Sequence, residues 1–264
     1  MDVVEAAGVP IAFEQRGDGP PLVLLHGIPS DGRVWQRQLD DLSDEFSVVA
    51  WDAPGCGRSG DPGGPFGLTD AARCLVEFVA ALGLQRPHVL GLSWGGGLAL
   101  EVYRIDPSLP RSLVLAGTYA GWAGSLPPAD IAARLKAYLA AARTSDRDLK
   151  SWGPGMFSPS TPPELVDELT EIASSSVHPE ALASLARSFA ETDLRHVLPT
   201  IEVPTLVLHG DADARSPLAV GEALHAAIPD SQFLVLPGVG HVSNIEAPEQ
   251  FDGAVRGFLR SVAG

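Results

Sequence analysis

Six short apolar runs punctuate this chain, and they constrain its fold more than any other feature. "PLVLLHG" (21–27), "FSVVAWD" (46–52), "PHVLGLS" (87–93), "RSLVLAG" (111–117), "PTLVLHGDAD" (204–213) and "QFLVLPGVG" (232–240) hold nearly unbroken blocks of Val and Leu. A strand with one wet face alternates apolar and polar residues, whereas a continuous run belongs to a strand covered on both faces. Helical patterns stand between the runs. Residues 70–83, after Thr69, place Leu75, Val79 and Leu82 on one face and stop at Gly83; another pattern runs from Gly95 to Asp106, and a third lies near 217–228. A last one follows Pro248 and carries Phe251, Val255, Phe258 and Val262. Buried strands alternating with amphipathic helices predict an α/β fold, with a mainly parallel central sheet and helices on both faces. The opening "VVEAAGVPIAFEQRG" reads as a hairpin turning at Gly8.

The rhythm fails between 118 and 199, where no strand-like run occurs. Three helical patterns replace it. The first is 129–142, with Ile131, Leu135, Tyr138 and Leu139; the second is 162–174, with Thr161 as N-cap, Pro162 at the first position and Glu164 closing a capping box; the third is 179–192, with Leu182, Leu185 and Phe189. The expectation is a core domain of residues 1–117 and 200–264, with 118–199 inserted between two core strands as a helical cap over one edge of the sheet.

Composition narrows the partners. Against 18 Lys and Arg stand 33 Asp and Glu, a formal net charge of −15, which opposes nucleic acid and anionic membrane as partners. No stretch reaches the roughly 18 apolar residues of a membrane span. "MDVVEAAGVP" has neither the basic nor the apolar region of a secretory signal. Cys56 and Cys74 are the two cysteines and have no metal-site spacing, so the expectation is a cytoplasmic protein without a disulfide framework, metal or cofactor. Oligomeric state is not legible.

"GCGRSG" (55–60) matches the G-x-G-x-x-G of dinucleotide-binding turns, but that motif needs a helix to start there, and "DPGGPFG" follows instead. It reads as a tight turn after Asp52. "GLSWG" (91–95) is different. A strand precedes it, a helix follows, and its glycines permit a sharp turn that would hold Ser93 out as a nucleophile. An N-cap serine is the plainer reading, so the partners decide.

A serine nucleophile needs a base, and the base needs an orienting acid. His88 and His209 lie inside apolar runs, as structural histidines do. His178, His196 and His225 lie on or beside helical patterns. His26 ends a strand just before Gly27. His241 follows the last strand in "PGVGHVSNIEAPEQF", which puts it on the same edge of a parallel sheet as Ser93 and makes it the candidate base. "HGDADARSP" offers Asp213, deeper in the loop, and Asp211, more suited to a turn. An oxyanion would need backbone N–H donors. Trp94, at the positive end of the helix, is one candidate; Ile28, in the loop after "LLHG", is the other, since Pro29 has no N–H. Trp94, Trp122, Trp152, Met156 and Phe157 are candidates to line a substrate pocket.

Taken together, "HGIP", "WDAPGCGRS", "GLSWGG", "GDADARSP" and "GVGHVSNIEAPEQF" resemble the α/β-hydrolase fold superfamily over nearly the whole chain, in the order Ser, Asp, His that marks that fold. The nearest likeness inside it is to carboxylesterases and the 3-oxoadipate enol-lactonase group. The resemblance implies an acid three residues after Gly210, which is Asp213, and a helical cap where 118–199 stands. It implies a cofactor-free serine hydrolase acting on a carboxylic ester or lactone, and the apolar candidates for the pocket lining suggest a medium-sized, largely apolar substrate. C–C bond hydrolases, perhydrolases and slow-turnover ligand receptors on the same triad remain open alternatives.

Overall fold

The computed structural model describes residues 2–143, 155–176 and 178–262. Its strands are β1 (Asp2–Ala6), β2 (Val9–Arg16), β3 (Pro21–Leu25), β4 (Ser47–Trp51), β5 (His88–Leu92), β6 (Ser112–Ala116), β7 (Thr205–Gly210) and β8 (Gln232–Leu236). All eight form one sheet in the order β1-β2-β4-β3-β5-β6-β7-β8. The hairpin β1–β2 is antiparallel, as is the β2–β4 pair. Every other neighbouring pair is parallel.

Burial on two sides explains five of the six apolar runs, β3 to β7; β8 departs from that expectation, because it is the edge strand and its Leu234 is 37% exposed. In β3, Val23 and Leu25 belong to one apolar core, while Leu22 and Leu24 belong to the core on the opposite face. The first core also receives Leu75, Phe78 and Val79 of α2 (Leu68–Ala81) and Leu98 and Val102 of α3 (Trp94–Ile105). The second receives Leu39 of α1 (Gln36–Asp41) and Phe251, Val255 and Phe258 of the C-terminal helix (Pro248–Val262). Each such apolar side chain removed from water stabilises the fold by about 1.5–3 kcal/mol before entropy is counted.

Helix ends differ from the sequence expectation in instructive ways. The helix expected after Thr69 starts at Leu68, because Gly67 is its N-cap and the Asp70 carboxylate accepts the Gly67 N–H at 3.0 Å. Thr69 instead donates its hydroxyl to Glu101 at 2.5 Å. The turn Gly32–Trp35 and α1 have no counterpart in the sequence expectation.

Between β6 and β7 the described residues contain α4 (Pro128–Ala141), α5 (Pro163–Ser176) and α6 (Pro179–Glu191) and no strand. Thr161, expected to cap α5, gives its hydroxyl to Glu246 at 2.6 Å. Phe189 of α6 presses its ring against Gly97 of α3, so this helical stretch sits on the helix that follows Ser93. No described helix is long and apolar enough to cross a membrane.

Candidate active site

In a parallel sheet the loops leaving the carboxyl ends of neighbouring strands share one edge. Ser93 follows β5, Asp213 follows β7 and His241 follows β8. Ser93 takes φ 56° and ψ −118°, a left-handed conformation that a residue with a side chain rarely adopts. Its neighbours hold it there. The Ser93 N–H donates to Ala116 O at 2.9 Å, and Thr118 donates its hydroxyl to Ser93 O. The flanking glycines are needed for closeness: a Cβ on Gly91 would strike the Gly95 carbonyl, and one on Gly95 would strike the Leu25 carbonyl. The turn therefore brings α3 against β3 and leaves the Ser93 hydroxyl at the mouth.

Ser93 Oγ lies 2.9 Å from His241 Nε2, and His241 Nδ1 lies 2.8 Å from Asp213 Oδ2. His241 and Asp213 are buried, at 2% and 4% exposure, so water competes little for either contact. Asp213 Oδ1 accepts the N–H groups of Arg215 and Ser216 at 2.8 and 2.7 Å. With one oxygen tied to backbone, the other is aimed at the imidazole. That arrangement assigns the proton to Nδ1 and the lone pair to Nε2, facing the hydroxyl. Asp211 is spent elsewhere: its Oδ1 accepts the Gly238 N–H at 2.6 Å in an exposed turn.

Five of the other six histidines are engaged elsewhere, away from Ser93 Oγ. His26 Nδ1 donates to Gly27 O at 2.7 Å while Nε2 accepts the Ala53 N–H at 3.0 Å. Burial lowers its pKa, so it stays neutral and braces the loop after β3. Asp52, pushed up chiefly by burial, accepts the Gly32 N–H at 2.8 Å and the Arg58 N–H at 2.9 Å. The "GCGRSG" turn is thus a second brace on that loop, and the next helix begins only at Leu68. His88 pairs with Ser112 at 2.7 Å, its pKa lowered by burial to about 4. His209 donates from Nε2 to Ser216 O at 2.6 Å, and burial lowers its pKa too. His178 pairs with Asp61, and His225 with Ser231.

A cleft opens beside Ser93, with about 370 Å³ of empty space counting its open mouth. Gly27, Ile28, Met156, Leu169, His241 and Ile245 are among its walls. Ile28 therefore stands at Ser93, and Trp94 opens α3, where an N–H has no carbonyl of its own helix to meet. Of the expected pocket residues Met156 is a wall. Phe157 packs half-buried in the second core. Trp122 is buried between Tyr138 and Phe189, with ring centroids 5.7 and 5.6 Å away. The Trp94 side chain is 1% exposed, in the core. Trp152 lies outside the described residues. Val34, Leu169, Val242 and Ile245 also line the cleft and are absent from the sequence expectation, since nothing in their local sequence marks them as cleft residues.

The wall is tied to the histidine loop. Met156 O accepts the His241 N–H at 3.2 Å. Glu246 Oε2 accepts the Ser158 N–H at 3.0 Å, the Gly240 N–H at 3.2 Å and the Thr161 hydroxyl. Among the described residues no cluster of three or more His, Cys, Asp or Glu could hold a metal ion.

Residues 22–254 match the profile of the alpha/beta hydrolase family. The chain is 27% identical to the 3-oxoadipate enol-lactonase 2 of Acinetobacter baylyi, over 98% of this chain and 96% of that protein. A malate-bound thermophilic esterase from Thermogutta terrifontis is 31% identical, with a TM-score of 0.91 over 99% of both chains. An esterase from Exiguobacterium antarcticum is 26% identical, with a TM-score of 0.89 over 98% of both.

Proposed function

From the premise that this chain belongs to the alpha/beta hydrolase family, we propose that it is a serine hydrolase of small carboxylic esters or lactones. One observation carries the reading: a strained serine, a buried imidazole and a buried carboxylate stand in hydrogen-bond contact in the order that nucleophilic acyl transfer requires. Ser93 Oγ attacks the carbonyl carbon as His241 Nε2 takes its proton. The tetrahedral oxyanion is held by the N–H groups of Ile28 and Trp94. Its collapse breaks the C–O bond, and His241 returns the proton to the leaving alkoxide. Water, deprotonated by the same nitrogen, then cleaves the acyl-Ser93 ester. Asp213 keeps the imidazole in the required tautomer throughout and stabilises the imidazolium.

In this reading 118–199 is the cap, and its Met156 and Leu169 shape the acyl site. The chemistry needs no metal or cofactor, and a location in the cytoplasm fits two buried thiols, Cys56 and Cys74. The test is a fluorophosphonate probe with peptide mass spectrometry, beside turnover of aryl esters, lactones and C–C-cleavage dienoates. The expected result is one adduct on Ser93, ester or lactone turnover, and loss of both in Ser93→Ala. An adduct on another serine, or Ser93→Ala turning over at the wild-type rate, overturns the reading.

A further inference from the structure

The peptide between Gly27 and Ile28 lies against Ser93. A Cβ added to Gly27 would stand 3.2 Å from Ser93 Cβ and 3.8 Å from Ser93 Oγ. This peptide carries the Ile28 N–H assigned to the oxyanion. A trans peptide unit is planar, and its C=O and N–H point in opposite directions. Whatever holds the Gly27 carbonyl therefore also sets where the Ile28 N–H is aimed.

Two side chains hold that carbonyl. His26 Nδ1 donates to Gly27 O at 2.7 Å, and the Ser30 hydroxyl donates to the same oxygen at 2.7 Å. A carbonyl oxygen only accepts, so both partners must donate. His26 is buried, and its Nε2 is occupied by the Ala53 N–H. Ser30 is 6% exposed and stands in the wall of the Ser93 cleft. The residues after Ser30 are pinned in turn. Asp31 Oδ1 accepts the Arg33 N–H at 3.0 Å, and Asp52 Oδ1 accepts the Gly32 N–H at 2.8 Å. The turn Gly32–Trp35 thus keeps Ser30 against the peptide.

Two donors on one carbonyl do more than orient it. Hydrogen bonds in a chain polarise one another, so a peptide whose oxygen is already bonded presents a more positive N–H. Oxyanion donors are effective because they are in place before charge develops. We infer that Ser30 is a positioning residue of the oxyanion hole. Its hydroxyl, together with His26, fixes and polarises the Gly27–Ile28 peptide so that the Ile28 N–H meets the oxyanion formed when Ser93 attacks. Ser30 works through the peptide and makes no bond to the reacting atoms. The inference rests on the hydrolase reading and on Ile28 as a donor.

The experiment compares wild type, Ser30→Ala and Ser30→Thr on one aryl ester and two inhibitors, an alkyl trifluoromethyl ketone and the matching methyl ketone. With the first inhibitor, Ser93 Oγ bonds to the carbonyl carbon, the C=O electron pair moves to oxygen, and the serine proton passes to His241. The methyl ketone binds as the free ketone. Ser30→Ala should lower kcat by about tenfold with KM nearly unchanged, less than the roughly 10²–10³-fold cost of losing an oxyanion donor itself. It should weaken the trifluoromethyl ketone by a similar factor and leave the methyl ketone alone. Ser30→Thr keeps the donor and should recover most of the loss. An unchanged kcat in folded Ser30→Ala overturns the inference. So does equal weakening of both ketones, which would make the hydroxyl a shaper of the cleft alone. A loss in kcat of about 100-fold or more would put Ser30 on the oxyanion itself and overturn its indirect role. Should Ser30→Ala not fold, Ser30→Cys is judged by the same criteria, its weaker donor giving a smaller loss in the same pattern. If the wild type neither turns over esters nor forms the Ser93 adduct with the trifluoromethyl ketone, the hydrolase reading falls and takes this role with it. Wild-type turnover with a silent Ser30→Ala removes the positioning role alone.

Discussion

Asp213 Oδ2 stands 2.8 Å from His241 Nδ1, with both side chains buried. Two residues earlier, Asp211 faces an exposed turn and caps the Gly238 N–H. The two aspartates therefore separate cleanly by experiment. Asp213→Asn should lower kcat by roughly 10⁴-fold, because an amide cannot hold the imidazole in the tautomer that accepts the serine proton. Asp211→Asn should cost less than about tenfold. Steady-state kinetics on one aryl ester ranks them, and a reversed order moves the acid to Asp211.

Gly95 has no room for a methyl group, because a Cβ there meets the Leu25 carbonyl, which is backbone of a central strand. Gly95→Ala should destabilise the protein by about 1–3 kcal/mol and slow fluorophosphonate labelling of Ser93. Gly64, where an added methyl would meet nothing within 4 Å, is the control; Gly64→Ala should stay within about 0.5 kcal/mol of wild type. Urea unfolding of both variants checks the contrast.

Met156 is a wall of the cleft and Trp122 is packed among aromatic rings away from its walls. Met156→Ala should change the ranking of ester substrates by chain length, by an amount worth about 1–3 kcal/mol of discrimination. Trp122→Phe should lower stability and keep the ranking. A series of aryl esters from acetate to decanoate measures both. An unchanged profile in Met156→Ala would remove that side chain from the acyl site.

Asp252, in the C-terminal helix, has its pKa raised from 3.8 to about 7, first by burial and then by Asp41, against the Gln38 amide that donates to it at 3.0 Å. The folded state thus binds this proton more tightly than the unfolded chain does. Its stabilising contribution is complete below about pH 4 and is lost as pH rises through the folded value near 7. Asp252→Asn keeps an acceptor for Gln38 and cannot ionise. It should be more stable than wild type at pH 8 by about 1–3 kcal/mol and gain nothing near pH 4. Urea midpoints at the two pH values test this; an equal difference at both would show that ionisation is not the cause.

The central strands are readable because β3 to β7 are covered on both faces, and that requirement writes itself as an apolar run. Ser93, Asp213 and His241 can be placed on one edge because each follows such a run. The stretch 32–41 is not readable. Its buried face combines Val34, Trp35, Gln38 and Leu39, and Gln38 is buried only because Asn244 and Asp252, more than 200 residues away, meet its amide. Cleft walls are illegible for the same reason. Leu169 and Ile245 look like ordinary helix-face residues, and only the tertiary arrangement turns them toward Ser93. Arg134 and Arg215 are 81 positions apart, and no local pattern announces that they touch.

The bonds from Met156 to His241, and from Ser158 and Thr161 to Glu246, bear on how such proteins can be recombined. A graft that exchanges the whole stretch from 118 to 199 for that of a relative replaces the Thr161 donor and leaves Glu246 behind. Its carboxylate would then face a foreign loop, next to the backbone that holds His241. Crossover points that keep 155–161 with the sheet loops, and exchange only α4 or only α6, preserve that contact. Natural or engineered exchange of these helices therefore has its safe seams inside the helical stretch rather than at its two ends.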